Sequence, residues 1–278
     1  MKVDAINYKN IAVNPEVISK ITQIDPESNN CFREIDNFLR SDQSAATLIL
    51  RVANSPIYNR GKYIKTLPIA INILGVRVIR SLVLLALSRS IFTRSKNKLM
   101  MRHVWQHSLL TAITSQAICN EIDVIKEGEE AFVAGLLHDI GKVLLFSHFK
   151  EKYIETLEYA LENNMTCAEA EQTHLNIDHL EVAQQAVKES RLPGYFRDYI
   201  GVNLEQLSTS QMNDKVQQSL AVANSLVKGA GIGSNSWDQE TRKDKLIAFG
   251  LNSDLCDYLI EDTFLQKLME NEIYQQCL

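Results

Sequence analysis

The sequence is poor in glycine and proline and has no closely spaced pair of cysteines. Only 11 glycines and 5 prolines occur among its 278 residues, which argues against long low-complexity linkers. The five cysteines are scattered and form no C-x-x-C motif. We therefore expect reduced thiols and not a disulfide framework or a zinc knuckle. These cysteines are Cys31, Cys119, Cys167, Cys256 and Cys277.

The sequence also lacks an excess of positive charge and a long hydrophobic run. Its net charge of -5 and pI of about 5.7 argue against a nucleic-acid-binding surface, which is usually basic. The N-terminal residues carry charges and no apolar signal core. The most apolar local run, Ser81 to Leu87, is far shorter than the roughly 20 residues of a membrane-spanning helix. We expect a cytoplasmic protein that binds neither nucleic acid nor membranes.

What the sequence does contain is helical periodicity along almost its whole length. Hydrophobic residues make up 45% and charged residues 23%, as in ordinary globular proteins. Capping patterns occur at Asn14-Pro15, at Asp25-Pro26 and at Thr166 with Glu169. No segment shows the alternation of a strand. The predicted fold class is all-α, with helices over 14–22, 25–40, 41–55, 67–75, 76–92, 101–122, 128–149, 150–164, 166–174, 178–191, 195–207, 213–228, 239–249 and 254–273.

A polar, basic segment from Ser95 to Met100 separates two groups of predicted helices. We therefore divide the chain into an N-terminal helical part, residues 1–97, a helical bundle, residues 98–228, and a C-terminal helical extension, residues 229–278. The extension either completes the bundle or covers it. It opens with the glycine-rich stretch KGAGIGSNS, which we predict to be a loop. Because no strand precedes this stretch, it does not fit a dinucleotide-binding loop.

The stretch AGLLHDIGKVLLF, Ala134 to Phe146, places the adjacent pair His138-Asp139 inside an apolar run. A metal site and a pair of hydrogen-bonded core residues are the two interpretations. A metal site needs donors from other helices. His107 on the preceding predicted helix, with His103 one turn earlier, and His179 on a following helix provide them. Imidazole nitrogens and carboxylate oxygens suit Mn, Fe, Zn and similar ions.

Two sets of motifs resemble known families. GLLHDIGK with the upstream WQHS resembles the HD superfamily of metal-dependent phosphohydrolases. Residues 41–92 resemble the HDOD domain, an HD-related domain of bacterial signalling proteins, through LRVANSPIY, Leu50 to Tyr58, and AINILG, Ala70 to Gly75. The resemblance covers roughly residues 12–210. It implies that residues 1–97 form the N-terminal helical part of an HDOD domain, packed on an HD-like bundle.

The resemblance also implies roles for individual residues. His107, His138 and Asp139 match the core metal ligands of catalytic HD proteins. His179 matches the histidine that opens the next ligand helix in the related HD-GYP phosphodiesterases. Lys142 matches a lysine that contacts phosphate there, and so is a candidate catalytic residue only if the protein is an enzyme.

The sequence departs from the catalytic pattern in two places. After RLPGYF the related enzymes have a pair of histidines, whereas this chain reads RDYIGVNLEQL. The distant aspartate of the ligand set is expected at Asn224, and an amide there removes one negative charge. Since opposite charges a few ångströms apart interact by several kcal/mol in a partly screened site, metal binding should be weakened. We expect either one weakly bound ion of Mn, Fe, Zn or Ni, held by His107, His138, Asp139 and His179, or no metal.

Three functions are compatible with these features. The first is a bacterial signal-transduction or regulatory HDOD protein that binds a signalling protein partner and does not catalyse. No receiver, cyclase or DNA-binding segment is recognisable in these residues, so input or output is expected from a separate partner. The alternative is a metal-dependent phosphohydrolase, a phosphodiesterase acting on a nucleotide or cyclic dinucleotide. The third is a structural scaffold.

Overall fold

The fold was obtained as a computed structural model. The structure describes residues 20–278 except 22, 26–27, 29, 42, 56–57, 60, 62, 93–96, 190–193 and 213. The predicted N-cap at Asn14-Pro15 lies outside the described residues. Within them no strand occurs, and the all-α prediction is confirmed.

The helices follow one another along the chain with short connections. They are α1 (Cys31–Ser41), α2 (Gln43–Ala53), α3 (Leu67–Phe92), α4 (Lys98–Met100), α5 (His107–Glu121), α6 (Gly128–Leu137), α7 (Ile140–Phe149), α8 (Glu151–Glu162), α9 (Cys167–Leu175), α10 (His179–Glu189), α11 (Lys215–Gly229), α12 (Gln239–Ala248), α13 (Ser253–Ile260), α14 (Asp262–Met269) and α15 (Glu272–Cys277). A π-helical turn, Met101–Gln106, joins α4 to α5, and short 3-10 turns occupy Ile125–Glu127, Gly194–Asp198 and Thr209–Gln211.

Several local predictions agree with these bounds. Gly75 interrupts α3 with φ 78° and ψ 158°, so the predicted helix end at that glycine is confirmed. The predicted capping box at the start of α9 is present. The Thr166 hydroxyl accepts from the Glu169 backbone N–H, and the Glu169 carboxylate accepts from the Thr166 N–H at 2.9 Å. The glycine-rich stretch is a loop, as predicted.

Other predictions were wrong in their bounds. The helix expected from Asp25 begins only at Cys31, because a turn comes first, in which the Ser28 N–H donates to the Asp25 carbonyl. The helix expected over 195–207 is one 3-10 turn followed by loop, and the helix expected over 254–273 is divided among α13, α14 and α15. The helix expected over 128–149 is interrupted at His138-Asp139.

The described residues share one apolar core, and α5 runs through it. Its side chains are buried on nearly all sides because α6, α11, α14 and α15 pack around it. α10 packs on α7, and α9 packs on α8. The bundle therefore brings the start of α5, the α6–α7 junction and the start of α10 together at one end.

The N-terminal and C-terminal segments both pack onto this bundle. α1 and α2 pack on α3, and α3 packs on α6, where Arg80 pairs with Glu129 at 3.3 Å. At the other end of the chain, α15 contacts α2 and α5, and the Cys277 carbonyl accepts a hydrogen bond from the Trp105 indole N–H at 3.0 Å. The boundaries at residues 97 and 228 stay a prediction, since the apolar core runs continuously across both.

One stretch of the described chain is long and apolar enough to cross a membrane by length and composition. It is Ile125–Phe149, and most of its apolar part is buried inside the protein. Because this stretch includes α6, α7 and the buried His138-Asp139 pair, its apolar character is that of a core segment.

Candidate metal centre

The His138-Asp139 pair lies at the break between α6 and α7. His138 keeps helical backbone angles, whereas Asp139 has φ -99° and ψ 18°. In a continuous helix, neighbouring side chains diverge by about 100°. At this break the two side chains approach each other, with His138 Nε2 3.4 Å from Asp139 Oδ2.

Two more imidazoles reach the same carboxylate from other helices. His107, the first residue of α5, places its Nε2 3.5 Å from Asp139 Oδ2 and 3.3 Å from His138 Nε2. His179, the first residue of α10, places its Nε2 3.6 Å from Asp139 Oδ1. Three imidazole nitrogens from three helices therefore surround one buried carboxylate.

The hydrogen bonds of the other ring nitrogens fix the tautomer of all three histidines. His107 Nδ1 lies 2.9 Å from the Ile232 carbonyl oxygen, and His138 Nδ1 lies 2.7 Å from the Gly135 carbonyl oxygen. His179 Nδ1 lies 2.6 Å from a Glu171 carboxylate oxygen. Because these oxygens accept hydrogen bonds, each Nδ1 carries the proton. Each Nε2 then presents a lone pair towards Asp139.

This arrangement fits a bound cation. The lone pairs of His107 Nε2 and His138 Nε2 face each other at 3.3 Å, where neither atom can donate to the other. The Asn224 side-chain oxygen is also buried and has no hydrogen-bond partner among the described residues. Imidazole nitrogen with carboxylate oxygen is a donor set for divalent transition metals. The residues therefore fit the metal that the sequence motifs imply.

Burial keeps the imidazoles in the form that binds metals. It lowers the pKa of His107 well below its usual value and also lowers the pKa of His138. Burial also lowers the pKa of His103 to about 4, and His103 Nδ1 accepts from the Gly233 N–H at 3.2 Å. At neutral pH these rings are uncharged, as metal ligation requires.

Lys142 supplies the positive charge that balances Asp139. Its ammonium is fully buried and donates to Asp139 Oδ2 at 2.7 Å. Burial alone would raise the pKa of Asp139, but the neighbouring His138 and Lys142 hold it well below its usual range. Lys142 does not line the adjoining cavity. Its predicted contact with a phosphate stays a prediction.

A cavity of about 270 Å³ opens beside the cluster. His138, Asp139, His179 and Asn224 line one part of it. Lys228, which forms an ion pair with Glu205, also lines the cavity. The remaining polar lining residues are Thr166, Glu169, Asn203, Gln206 and Lys245. The cluster is thus accessible to a small polar molecule through this cavity.

The sequence-predicted residues His107, His138, Asp139 and His179 meet in the structure, and Asn224 faces the same cavity as three of them. Three groups that orient the imidazoles were not predicted from the sequence: Glu171, the loop around Ile232 and the Gly135 carbonyl. Glu171 gave no signal in the sequence beyond its position in the predicted helix 166–174. The loop was visible as a glycine-rich stretch. A Cβ on Gly233, which has φ +98°, would lie 2.4 Å from His107 Nδ1.

Comparison with known proteins identifies a family to which the sequence is similar and solved structures that share the fold. The sequence matches the HDOD domain over residues 11–204. Among curated proteins, none matches the sequence.

Three solved structures share the fold at low sequence identity. An HDOD domain protein of unknown function from Geobacter sulfurreducens is 20% identical with a TM-score of 0.72, covering 95% of this chain and 91% of that one. A candidate phosphohydrolase from Shewanella amazonensis SB2B is 18% identical with a TM-score of 0.67, covering 100% and 97%. A candidate signal transduction protein from Marinobacter aquaeolei VT8 is 17% identical with a TM-score of 0.64, covering 95% and 59%.

Proposed function

This chain belongs to the HDOD domain family, and from that membership we propose that it is a bacterial regulatory protein that acts by binding a protein partner. We propose further that its HD-type site binds one divalent transition metal weakly and turns over no substrate. The regulatory role is supported by the fold it shares with a candidate signal transduction protein.

The observation that carries the metal proposal is the convergence of three imidazole lone pairs on one buried carboxylate. His107, His138, Asp139 and His179 would hold the ion, and the Nδ1 hydrogen bonds already orient the three rings for it. A bound divalent ion would supply positive charge between groups that are otherwise all acceptors. The groups that accept hydrogen bonds from the Nδ1 atoms orient the ligands, and such groups typically contribute to metal affinity.

Two observations favour binding over catalysis. The family resemblance places the distant aspartate of catalytic HD proteins at Asn224, and an amide there gives the ligand set less negative charge. Lys142 already neutralises Asp139, which lowers the attraction of the site for a cation. Both weaken the acidity that a metal would impart to water in a hydrolase.

The alternative function, a metal-dependent phosphohydrolase, is favoured by the cavity. Lys228 and Lys245 line it together with His138 and Asp139, and an anionic phosphodiester would meet both kinds of group there. One structure of the same fold is that of a candidate phosphohydrolase. The substrate class on this reading is a nucleotide or cyclic dinucleotide.

An activity assay separates the two functions. Protein supplied with Mn, Fe, Zn or Ni is incubated with a chromogenic phosphodiester and with cyclic dinucleotides, and His138→Ala is assayed beside it. We expect no hydrolysis above the metal-only blank for either protein. In a parallel cross-linking experiment with cell extract, both proteins should retain the same partner. Metal-dependent hydrolysis that His138→Ala abolishes would replace this proposal by the phosphohydrolase.

A further inference from the structure

Glu171 is a buried carboxylate behind the candidate metal centre. It lies in α9 with no exposed surface and accepts three hydrogen bonds. The Tyr153 hydroxyl donates to Oε1 at 2.8 Å, while the His179 ring and the His179 backbone N–H donate to Oε2 at 2.6 and 2.7 Å. A carboxylate in a core costs several kcal/mol unless such donors compensate it. The three donors therefore indicate which residues the buried Glu171 carboxylate acts on.

Two of the three donors belong to a single residue, His179. The His179 backbone N–H lies at the N-terminus of α10, where an amide has no hydrogen-bond acceptor within the helix, and it donates to Glu171 instead. The same oxygen receives the imidazole Nδ1–H. One carboxylate thus fixes both where α10 begins and how the ring of its first residue is turned.

The tautomer of His179 follows from this contact. With the proton on Nδ1, Nε2 directs a lone pair to the side of Asp139, 3.6 Å from Oδ1. With the proton on Nε2 instead, the ring could donate to Asp139 and would offer no lone pair to an ion. Without Glu171 the second form is favoured, because Asp139 is then the acceptor within reach.

We propose that Glu171 is a positioning residue that holds His179 in the Nδ1–H tautomer and thereby makes Nε2 available as a metal ligand. The inference deepens the proposed function, because it assumes that His179 is a ligand. Tyr153 supports Glu171 from the other side. Its side chain is fully buried, and burial and the Glu171 charge raise the pKa of Tyr153 well above its usual value, so the hydroxyl stays a donor.

The test reads the tautomer in metal-free protein and the metal affinity separately. Nitrogen chemical shifts of His179 are recorded for wild type, Glu171→Met and Glu171→Gln. We expect the Nδ1–H form in wild type and in Glu171→Gln, whose amide oxygen still accepts, and the Nε2–H form in Glu171→Met. Affinity for Ni²⁺ or Zn²⁺ should fall by about 10- to 100-fold in Glu171→Gln, which loses the carboxylate charge, and further in Glu171→Met.

Glu181→Met is the matched control, because Glu181 is exposed and lies in the same helix as His179. It should change neither the tautomer nor the affinity. Persistence of the Nδ1–H form in Glu171→Met would overturn the inference. If Glu171→Met does not fold, an Nε2–H form of His179 in wild type or in Glu171→Gln overturns it. A wild type that binds no metal, but whose tautomer depends on Glu171, contradicts the proposed metal site and leaves the positioning role intact.

Discussion

Replacing Lys142 with methionine is expected to lower the free energy of unfolding of the metal-free protein by about 3–5 kcal/mol, as for other buried ion pairs that lose one partner. The Lys142 ammonium is fully buried and lies 2.7 Å from Asp139 Oδ2. Methionine fills a similar volume but leaves the buried carboxylate without a cation. Urea denaturation in the presence of a chelator measures the change.

The same substitution should tighten metal binding. Asp139 Oδ2 is the oxygen that faces both His107 and His138, so Lys142 now competes for the atom that a metal would take. In Lys142→Met the ligand set gains one net negative charge, and a divalent ion becomes the available counter-ion. At 100 times its dissociation constant, the ion should return about 2.7 kcal/mol of stability.

Lys188→Met is the control for this prediction, since Lys188 is exposed on α10. It should leave both stability and metal affinity unchanged. An equally stable Lys142→Met, or one that binds metal no better than wild type, would show that Lys142 does not act as the counter-ion of Asp139.

The second large effect is expected at Gly141, between Asp139 and Lys142. A Cβ at this position would lie 1.9 Å from the backbone oxygen of His179, and the nearest atoms are all backbone. No side-chain movement can relieve that contact. We expect Gly141→Ala to separate α7 from α10 and to lower the free energy of unfolding by about 3 kcal/mol or more, the upper end for overpacked cores.

Because His179 moves with α10, Gly141→Ala should also weaken metal binding in whatever protein remains folded. Gly128→Ala is the matched control, since the added Cβ there would lie 3.4 Å from the Gln116 side chain, near ordinary contact distance. Thermal unfolding of the two variants gives the comparison. A Gly141→Ala protein as stable as Gly128→Ala would mean that α7 and α10 are not packed as closely as the structure has them.

Much of the fold could be predicted because local signals decide it. The capping box at Thr166 and Glu169 and the break at Gly75 depend on a few neighbouring residues, and both are present. The error over 195–207 arose where tertiary contacts outweigh local preference. There Tyr199 donates to Asp214 at 2.7 Å and lies close to Glu130, so the segment follows those partners and not a helical path.

The site was predictable as a set of residues but not as a geometry. His107, His138, Asp139 and His179 carried recognisable motifs. The break in the helix at Asp139 has no recognisable sequence motif, because the surrounding apolar run is typical of one continuous helix. The groups that set the tautomers lie far away in sequence, as Ile232 does from His107, or are backbone carbonyls without a sequence signal, as at Gly135.

The proposed metal centre requires that His107, His138, Asp139 and His179 together bind one ion. Equilibrium dialysis against Mn²⁺, Fe²⁺, Zn²⁺ and Ni²⁺, with metal content read by mass spectrometry, tests it on wild type and on the His138→Ala/Asp139→Ala variant. We predict one ion per chain in wild type for at least one of these metals and none in the variant. No ion in wild type, or equal amounts in both proteins, would contradict the claim.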